Sequence, residues 1–424
     1  MRKLQGIAGL VLAALTGLGT EALAGGFAFN ENGAAATGKA TAFVGEANDP
    51  SAIFYNPAGI TQLPGTQVMI GASLVKLDST FRSSTTVEST QLQDQFPVLP
   101  YVYITHRFKG WDERLSIGLG IYTPFGILID WPDNWQGRFA TTDDHLRVTV
   151  YNPTIAFQAM PKLSLAVGLQ VADVGAGFEQ KFAIPALGVG ESKVRVHGLN
   201  AHPVGWNVGA LYHITDTTSA GIQFRSELQA KFKGEAEFSG PAAALFSNTG
   251  FRSSLKLAPK IVAGVSTKVI SRWTINADIE WQGWRTVGSI PKTFNDTADS
   301  LVPQSALNQR NLTNWKNSWV YKIGAEYAAT ERLALRGGYF YDSSAVPDST
   351  FSPVIPVANL HALTVGFGYK WPRVVVDAAY LLGFYEKRSI DNQTSDPNNV
   401  AGPTAFGSYS SMAQVLTVSV TLKF

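Results

Sequence analysis

An alternation of apolar and polar side chains, with a period of two residues, recurs along most of this chain and constrains its fold more than any other feature. In the clearest run, one face carries Trp273, Ile275, Ala277, Ile279 and Trp281, and the other carries Thr274, Asn276, Asp278, Glu280 and Gln282. Because successive side chains of a β-strand point to opposite faces, this period predicts strands with one apolar and one polar face. A soluble sandwich alternates in the same way, so the pattern alone leaves both classes of protein open.

The lengths of the links between the runs separate the two classes. Links such as Met160 to Lys162 and Thr215 to Asp216 are tight, whereas the intervening links, such as Tyr122 to His145 and Val287 to Lys316, are long. Short turns at one end and long loops at the other are typical of bacterial outer-membrane barrels. We therefore predict an all-β, transmembrane antiparallel barrel of about fourteen strands, near 66–77, 97–108, 114–122, 146–159, 163–181, 193–214, 217–235, 251–269, 272–286, 317–329, 331–342, 360–371, 373–388 and 411–424.

The start of the chain predicts export. Arg2 and Lys3 precede an apolar stretch from Ile7 to Leu18, and Ala22-Leu23-Ala24 follows as a small-residue cleavage site. This order is that of a secretory signal peptide, which we place at residues 1–24. A membrane-anchoring helix needs about 20 apolar residues, and this stretch is too short for one.

Composition excludes several classes of protein. The chain has no cysteine, so a disulfide framework and a thiolate metal site are both excluded, and we expect no metal and no cofactor. A net charge of +2 and a mean hydropathy of +0.03 argue against a nucleic-acid binder and against a helical membrane protein.

Residues 25–64 interrupt the strand pattern ahead of the first strand. The segment is rich in Gly and Ala, and it contains Phe27, Phe29, Phe43 and Phe54, which make it too apolar for a disordered tail. A barrel of this size has room inside for a plug. We therefore expect three parts: a signal peptide at 1–24, an N-terminal hatch (plug) at 25–64, and a transmembrane barrel at 65–424.

Several motifs then resemble those of the FadL family of outer-membrane transporters for hydrophobic compounds. They are Gly26-Phe27-x-x-Asn30-Glu31, the stretch from Asn48 to Gly59 that contains Asn56-Pro57-Ala58, Tyr122 to Gly126 with Asp130 to Arg138, and Arg336-Gly337-Gly338-Tyr339. The two stretches Tyr122 to Gly126 and Asp130 to Arg138 look like those of the TodX and OmpP-like branch. The resemblance covers essentially the whole mature chain.

This resemblance implies a barrel plugged by the hatch, with Asn56, Pro57 and Ala58 as the hatch motif. It also implies that ligand lands in an apolar groove between external loops and passes to a pocket beside Gly26, Phe27, Phe29 and Asn30. In that family the ligand leaves through a lateral opening at an inward-kinked strand. The loop between Phe182 and Lys193 is much shorter here than in the fatty-acid archetype.

The link from Tyr122 to Phe139 is more apolar than a solvated loop requires, and we interpret it as the ligand-capture loop. Its apolar residues are Phe125, Ile127, Leu128, Ile129, Trp131, Trp135 and Phe139. The alternative is that these side chains pack on one another or on neighbouring loops. Arg138 could anchor a carboxylate by a bidentate pair, or it could contact the surface or lipopolysaccharide.

Five charged residues are predicted to face the lumen, where they touch the hatch, line the path or form a structural charge network: Asp278, Glu280, Lys322, Glu326 and Arg336. The function predicted from these features is uptake of hydrophobic compounds, most of all long-chain fatty acids, by a monomer without enzymatic activity. Its expected surroundings are outer-membrane lipid and lipopolysaccharide, without nucleic acid. An aromatic-hydrocarbon channel of the same fold is the alternative, followed by a general porin and an outer-membrane hydrolase.

Overall fold

The computed structural model describes residues 26–185, 188–356, 358–391 and 405–424, so the predicted signal peptide at 1–24 lies outside the described residues. Fourteen long strands run through the described ranges: β1 Thr66–Ser83, β2 Val98–Arg107, β3 Leu115–Asp130, β4 Asp143–Met160, β5 Leu163–Ile184, β6 Val189–Ala201 with Val204–His213, β7 Thr218–Arg225 with Leu228–Ser239, β8 Thr249–Leu257 with Lys260–Ile270, β9 Trp273–Gln282, β10 Ser318–Ala328, β11 Leu333–Asp342, β12 Leu360–Lys370, β13 Val374–Tyr385 and β14 Gly407–Lys423. β1 pairs with β14 from Gln67 opposite Lys423 to Ser83 opposite Gly407, so the antiparallel sheet closes into a barrel. The predicted fold class is confirmed.

Shorter elements lie between these strands and ahead of them. The helices α1 Ala34–Thr37 and α2 Ala52–Tyr55 and the 3₁₀ turn Pro57–Gln62 precede β1. The links contain the short strands Ser89–Gln91, Ser289–Phe294, Gln309–Leu312 and Arg388–Ile390, and the 3₁₀ turns Trp111–Glu113, Gly240–Ala244, Trp284–Thr286, Gln304–Leu307 and Asp348–Thr350. None of the helices in the described ranges is long and apolar enough to cross a membrane.

The apolar and polar faces of β9 lie as the alternation predicts. Ile279 is 40% exposed on the outside of the barrel, whereas Asp278 and Glu280 are buried on the inside. The outward side chains of the other strands follow the same rule; Ile323 and Val365, for example, are exposed on β10 and β12. An apolar outer surface and a polar interior are the arrangement that a bilayer imposes on a barrel.

Three neighbouring strands are interrupted at adjacent positions. β6 breaks at His202-Pro203, β7 at Ser226-Glu227 and β8 at Ala258-Pro259. Proline has no N–H to donate to the sheet, which explains why the ladder stops at two of these breaks. The pairs Asn207–Arg225 and Arg225–Lys260 lie directly opposite each other beside the breaks, so their side chains share the inner face.

The third strand differs from its prediction. The sequence places its end near Tyr122, but β3 continues to Asp130, with a shift of register against β4 between Tyr122 and Phe125. Pro124 lies within this irregular stretch, where a ladder hydrogen bond is already missing. Phe125, Ile127, Leu128 and Ile129 are therefore strand residues, and the expectation that they belong to an external loop was wrong.

Candidate functional site

The described part of the N-terminal segment, residues 26–64, packs against the inner face of the barrel. Phe27, Phe29, Phe43, Ile53 and Phe54 are all buried, each with 2% of its surface exposed or less. The core of the protein is thus formed between this segment and the lumenal side chains of the strands. The first short helix, Ala34–Thr37, consists of small residues, which allows a close approach to the wall.

The Asn56-Pro57-Ala58 triplet docks on the wall through the asparagine side chain. Asn56 Nδ2 donates to the carbonyls of Val44 and of Ala210 on β6, both at 3.0 Å, and Asn56 Oδ1 accepts from Ala58 N at 3.2 Å. Asn56 is extended, with φ −157°, and the 3₁₀ turn begins at Pro57. Proline fixes φ and suits the first position of such a turn. The triplet therefore fixes a bend and ties it to a strand.

Buried charges hold the segment at two further places. In the first, Glu280 on β9 accepts from Lys260 at 3.0 Å and from Lys322 at 2.6 Å, and Lys260 also donates to the Asn30 side chain at 2.5 Å. Asp278 accepts from the backbone N–H groups of Phe43 at 2.8 Å and of Val44 at 3.0 Å.

In the second place, Arg336 donates to Glu326 at 2.7 Å and to Asp377 at 2.6 Å. Lys39 of the segment lies 2.5 Å from Glu46 and 3.9 Å from Glu326. All five lumen-facing residues named from the sequence thus lie inside the barrel, either in contact with the segment or in ion pairs that lead to it.

The first residues of the segment make a different kind of contact, with the irregular part of β3. Phe29 N donates to Pro124 O at 2.8 Å, Gly126 N donates to Phe27 O at 3.0 Å, and Ala28 lies opposite Phe125 as in an antiparallel pair. Gly26 has φ +82°, and a Cβ there would lie 2.8 Å from the Trp284 ring, so only glycine fits.

β3 separates from its neighbour β2 where it meets the N-terminal segment. The ladder between β2 and β3 runs from Arg107–Ser116 to Val102–Ile121, and in the described residues it does not continue beyond Ile121. The chain ahead of β2 contacts β3 again at Asp130, whose backbone O accepts a hydrogen bond from Gln93 N at 2.9 Å. A gap in the sheet therefore lies beside residues 122–129, covered on the inner side by Phe27 to Phe29.

An apolar cavity of about 190 Å³ lies inside the barrel beside Ile127, towards the C-terminal end of β3. Its lining includes Ile127, Phe178, Phe232, Phe251, Leu255, Trp315 and Ile355. The Trp315 ring also contacts Phe27, with ring centres 6.0 Å apart, and Phe27 lies at the same distance from Phe125. The cavity thus reaches the gap beside β3 through one cluster of aromatic rings.

Lys292 is the cation of this cavity. Its Nζ donates to Gln180 Oε1 at 2.8 Å and lies 4.0 Å from the centre of the Phe178 ring. Burial lowers the pKa of Lys292 below its usual range, and the nearby Asp144 carboxylate acts in the opposite direction. Among the described residues, no carboxylate oxygen lies within 4.0 Å of this ammonium group.

The predicted capture loop does not present an apolar surface. Trp131 and Trp135 are buried and stack on each other, with ring centres 4.4 Å apart and planes 14° apart. Trp135 also packs on Phe81, and Trp131 Nε1 donates to Pro353 O at 3.2 Å. The expectation of exposed capture residues was wrong for these two tryptophans, because their indoles form the core of an external cap. They follow the alternative given above, in which the loop side chains pack on one another and on neighbouring loops.

The remaining loop residues are also placed differently from the prediction. Of the seven apolar residues, Ile127 alone lines the cavity with Lys292. Leu128 and Phe139 are half-buried elsewhere. Arg138 donates to Glu191 Oε2 from Nε at 3.0 Å and from Nη2 at 2.8 Å, at the outer surface and not in the cavity lining. Its guanidinium already has a carboxylate partner.

Sequence reasoning missed Lys292 and Arg225. Gln223 and Arg225 alternate with Ile222 and Phe224, so the period of two could have identified Arg225 as lumenal. Lys292 lies in a long polar link that gives no such signal.

The comparisons with known proteins agree with this architecture. The family model described as outer membrane protein transport protein (OMPP1/FadL/TodX) matches residues 15–424. The chain belongs to this family. The long-chain fatty acid transport protein of Salmonella typhi is 23% identical to this FadL/TodX-family chain over 399 residues, which are 86% of this chain and 89% of that protein.

Solved structures show the same fold. The crystal structure of a Pseudomonas aeruginosa FadL homologue has a TM-score of 0.81 at 19% identity, covering 94% of this chain and 99% of that one. The CymD monoaromatic hydrocarbon channel has a TM-score of 0.70 at 19% identity, with the same coverage. The protein is therefore an outer-membrane barrel of a family that transports hydrophobic compounds.

Proposed function

We propose that this protein takes up amphipathic hydrophobic compounds, most of all long-chain fatty acids, by passive diffusion through a barrel gated by its N-terminal segment. The observation that carries this proposal is the apolar cavity with a lysine inside it and, at its edge, the aromatic rings that lead to the gap beside β3. Ligand pockets are mostly apolar with few placed polar groups, and this cavity fits that description.

The lysine favours a ligand with a carboxylate. Lys292 is half-buried and donates to a neutral amide, and the Asp144 carboxylate that also lines the cavity forms no ion pair with it within 4.0 Å in the described residues. A bound carboxylate would supply a charge-assisted hydrogen bond in surroundings with little water. We assign the anchoring role to Lys292 in place of Arg138, whose guanidinium is paired with Glu191.

The contacts of the N-terminal segment suggest which part moves. Residues 39–56 are tied to the wall by ion pairs and by the Asn56 side chain, whereas Phe27 to Phe29 are held against β3 by backbone hydrogen bonds at its irregular stretch. In the proposed mechanism, ligand displaces these first residues and leaves sideways through the gap between β2 and β3. The rest of the segment stays in the lumen as a plug.

Aromatic hydrocarbons are the second candidate substrate. Phe178, Phe232 and Phe251 line the cavity, and the CymD channel of the same fold is named for monoaromatic hydrocarbons. A general porin is less well supported, since the N-terminal segment occupies the lumen. The proposal involves no enzymatic step. Closure of the barrel leaves no strand edge that requires a second subunit, so we propose a monomer in contact with outer-membrane lipid and lipopolysaccharide.

Equilibrium binding to the purified protein tests the substrate class. We expect oleate to bind more tightly than oleyl alcohol, and Lys292→Met to lower oleate affinity by about tenfold to a hundredfold, because a charged hydrogen bond contributes roughly 1.5–3 kcal/mol. The affinity for oleyl alcohol should not change. Arg138→Met is the matched control and should leave both affinities unchanged.

Two results would contradict the proposal. Equal affinities for oleate and oleyl alcohol in the wild-type protein would remove the carboxylate from recognition and favour the hydrocarbon alternative. A loss of oleate binding in Arg138→Met with none in Lys292→Met would return the anchor to the external surface.

A further inference from the structure

Arg225, on the inner face of β7, is the one described arginine that is fully buried, and it has no carboxylate partner. It is 2% exposed, and its Nη2 donates to Phe54 O at 2.8 Å. Its Nε and Nη1 find no acceptor in the protein. An unpaired buried charge is costly, so a guanidinium held in this way needs a further partner.

The surroundings of Arg225 hold the guanidinium in place without neutralising it. Its central carbon lies 4.5 Å from the Phe54 ring centre and 5.3 Å from that of Tyr122. Lys260, directly opposite on β8, adds a second positive charge, and its own ion pair is with Glu280. Glu280 is shared between Lys260 and Lys322, so this carboxylate pairs with two lysines and leaves Arg225 without an ion pair.

Asn207 adds a neutral donor beside the guanidinium. It lies opposite Arg225 across the β6–β7 pair, and its Nδ2 is buried without an acceptor. Its Oδ1 accepts from Asn152 Nδ2 at 3.0 Å, and Asn152 Oδ1 accepts from Tyr122 OH at 2.9 Å. The amide is thereby oriented with its oxygen already used and its N–H₂ group free. Three unused nitrogen donors on opposed residues match the needs of a carboxylate.

The position of this group relates it to the gap beside β3. Tyr122 is the first residue of the irregular stretch of β3, and it contacts both the guanidinium and, through Phe54, the N-terminal segment. Arg225 does not line the cavity with Lys292, which is joined to the Phe27 and Phe125 rings through Trp315. Arg225 is thus a second cation beyond the cavity, close to the place where the sheet is open.

We propose that Arg225 and Asn207 form an internal anion site that receives the carboxylate of an amphipathic ligand after it leaves the cavity and before it reaches the gap beside β3. This inference rests on the proposed function and adds a second carboxylate-binding site to the same path. A carboxylate would be drawn past the aromatic cluster by this site, whereas a neutral hydrocarbon would gain nothing from it.

The first test compares uptake with binding. We expect Arg225→Met to lower uptake of radiolabelled oleate about tenfold in cells that lack another fatty-acid transporter, because the charged hydrogen bonds are lost. Uptake of oleyl alcohol, and binding of oleate to the purified protein through Lys292, should stay near wild-type values. Arg225→Lys should recover part of the oleate uptake. Arg195→Met, which alters an arginine with a 59% exposed side chain, is the matched control.

The second test supplies the anion from within the chain. Asn207→Asp places a carboxylate opposite Arg225, so it should raise the resistance of the barrel to denaturant and at the same time lower oleate uptake. If the role of Arg225 were purely structural, Asn207→Asp would raise the stability of the barrel and leave oleate uptake unchanged. This variant keeps the inference testable even if Arg225→Met does not fold.

The inference fails if Arg225→Met lowers the uptake of oleate and of oleyl alcohol equally, or if folded Asn207→Asp takes up oleate as the wild type does. Failure of the proposed function would appear differently, as a wild-type protein that does not bind oleate or as unchanged oleate affinity in Lys292→Met.

Discussion

At the scale of single residues, glycines of the wall determine where the N-terminal segment touches the barrel. A Cβ at Gly209 would lie 2.4 Å from Asn56 Oδ1, and one at Gly221 would lie 2.1 Å from Val44 O. Gly324 and Gly338 leave the same kind of space for Lys39 and Ala40. The absent side chains let backbone meet backbone, so the wall is shaped to this one segment.

We predict that Gly221→Ala displaces the segment while the barrel still closes. The added Cβ would overlap Val44 O, a backbone atom, and lie 2.7 Å from Asn56 Nδ2, which is held by hydrogen bonds to two carbonyls. Ion conductance in planar bilayers should therefore rise. Gly337→Ala is the control, because the nearest atom to its Cβ would be 3.7 Å away. Equal conductance in the two variants would show that the segment does not fill the lumen at this point.

Residues also show where sequence reasoning stops. An apolar side chain in a link gives the same signal whether it is exposed or packed, so Trp131 and Trp135 were assigned to a capture surface and instead stack on each other. The partner of Arg138 is Glu191, 53 residues away, and no local pattern reveals that pair. Lys292 reaches the cavity because Ser289–Phe294 pairs with β8 at Phe251.

At the scale of elements, the strands were predictable because lipid and lumen impose opposite demands on alternate residues. The alternation of apolar and polar residues ends where a strand is no longer paired in the sheet. β3 follows the alternation up to Ile121, and beyond that residue both of its faces are largely buried, so the period is lost and its predicted end came too early. The irregular stretch, which matters most for the proposed exit, is thus the part that period reasoning could not place.

The N-terminal segment also contains a titratable group. Burial raises the pKa of Glu31 from 4.5 to about 7, while Lys322 and Lys260 act in the opposite direction. A carboxyl whose pKa is raised in the folded state favours folding when protonated. Its contribution is complete below the unfolded pKa and is lost as the pH rises through about 7. We therefore expect the segment to be held less firmly above neutral pH.

Hydrogen exchange of the amides of residues 26–36 measures this effect. Between about pH 6.5 and about pH 8, after correction for intrinsic exchange rates, protection should fall in the wild type and change much less in Glu31→Gln. Asp49, whose pKa burial raises to about 6, is mostly ionised across this range and adds little. An equal fall in both proteins would exclude Glu31 as the cause.

At the scale of the whole molecule, the barrel and the segment are stabilised in different ways. Each barrel strand is hydrogen-bonded to a neighbour on either side, apart from the gap beside residues 122–129, and β1 and β14 close the ladder. The segment depends on side-chain pairs and on close contacts with glycine. In the proposed mechanism, part of the interior therefore moves while the strands of the wall stay paired.

The central claim is that hydrophobic ligands cross only when Phe27 to Phe29 leave β3, and a reversible lock tests it most directly. The chain has no cysteine, so Ala28→Cys with Phe125→Cys introduces one pair of thiols at residues that lie opposite each other. Opposed residues of antiparallel strands lie at a distance that a disulfide can bridge. Each single variant controls for the loss of its own side chain.

Uptake of oleate is measured in the same double variant, first reduced and then oxidised. We predict that oxidation stops uptake, that reduction restores it, and that neither treatment affects the single variants. Oleate uptake that continues at the reduced rate when the disulfide is fully formed would contradict the account, because ligand would then pass without moving the segment from β3.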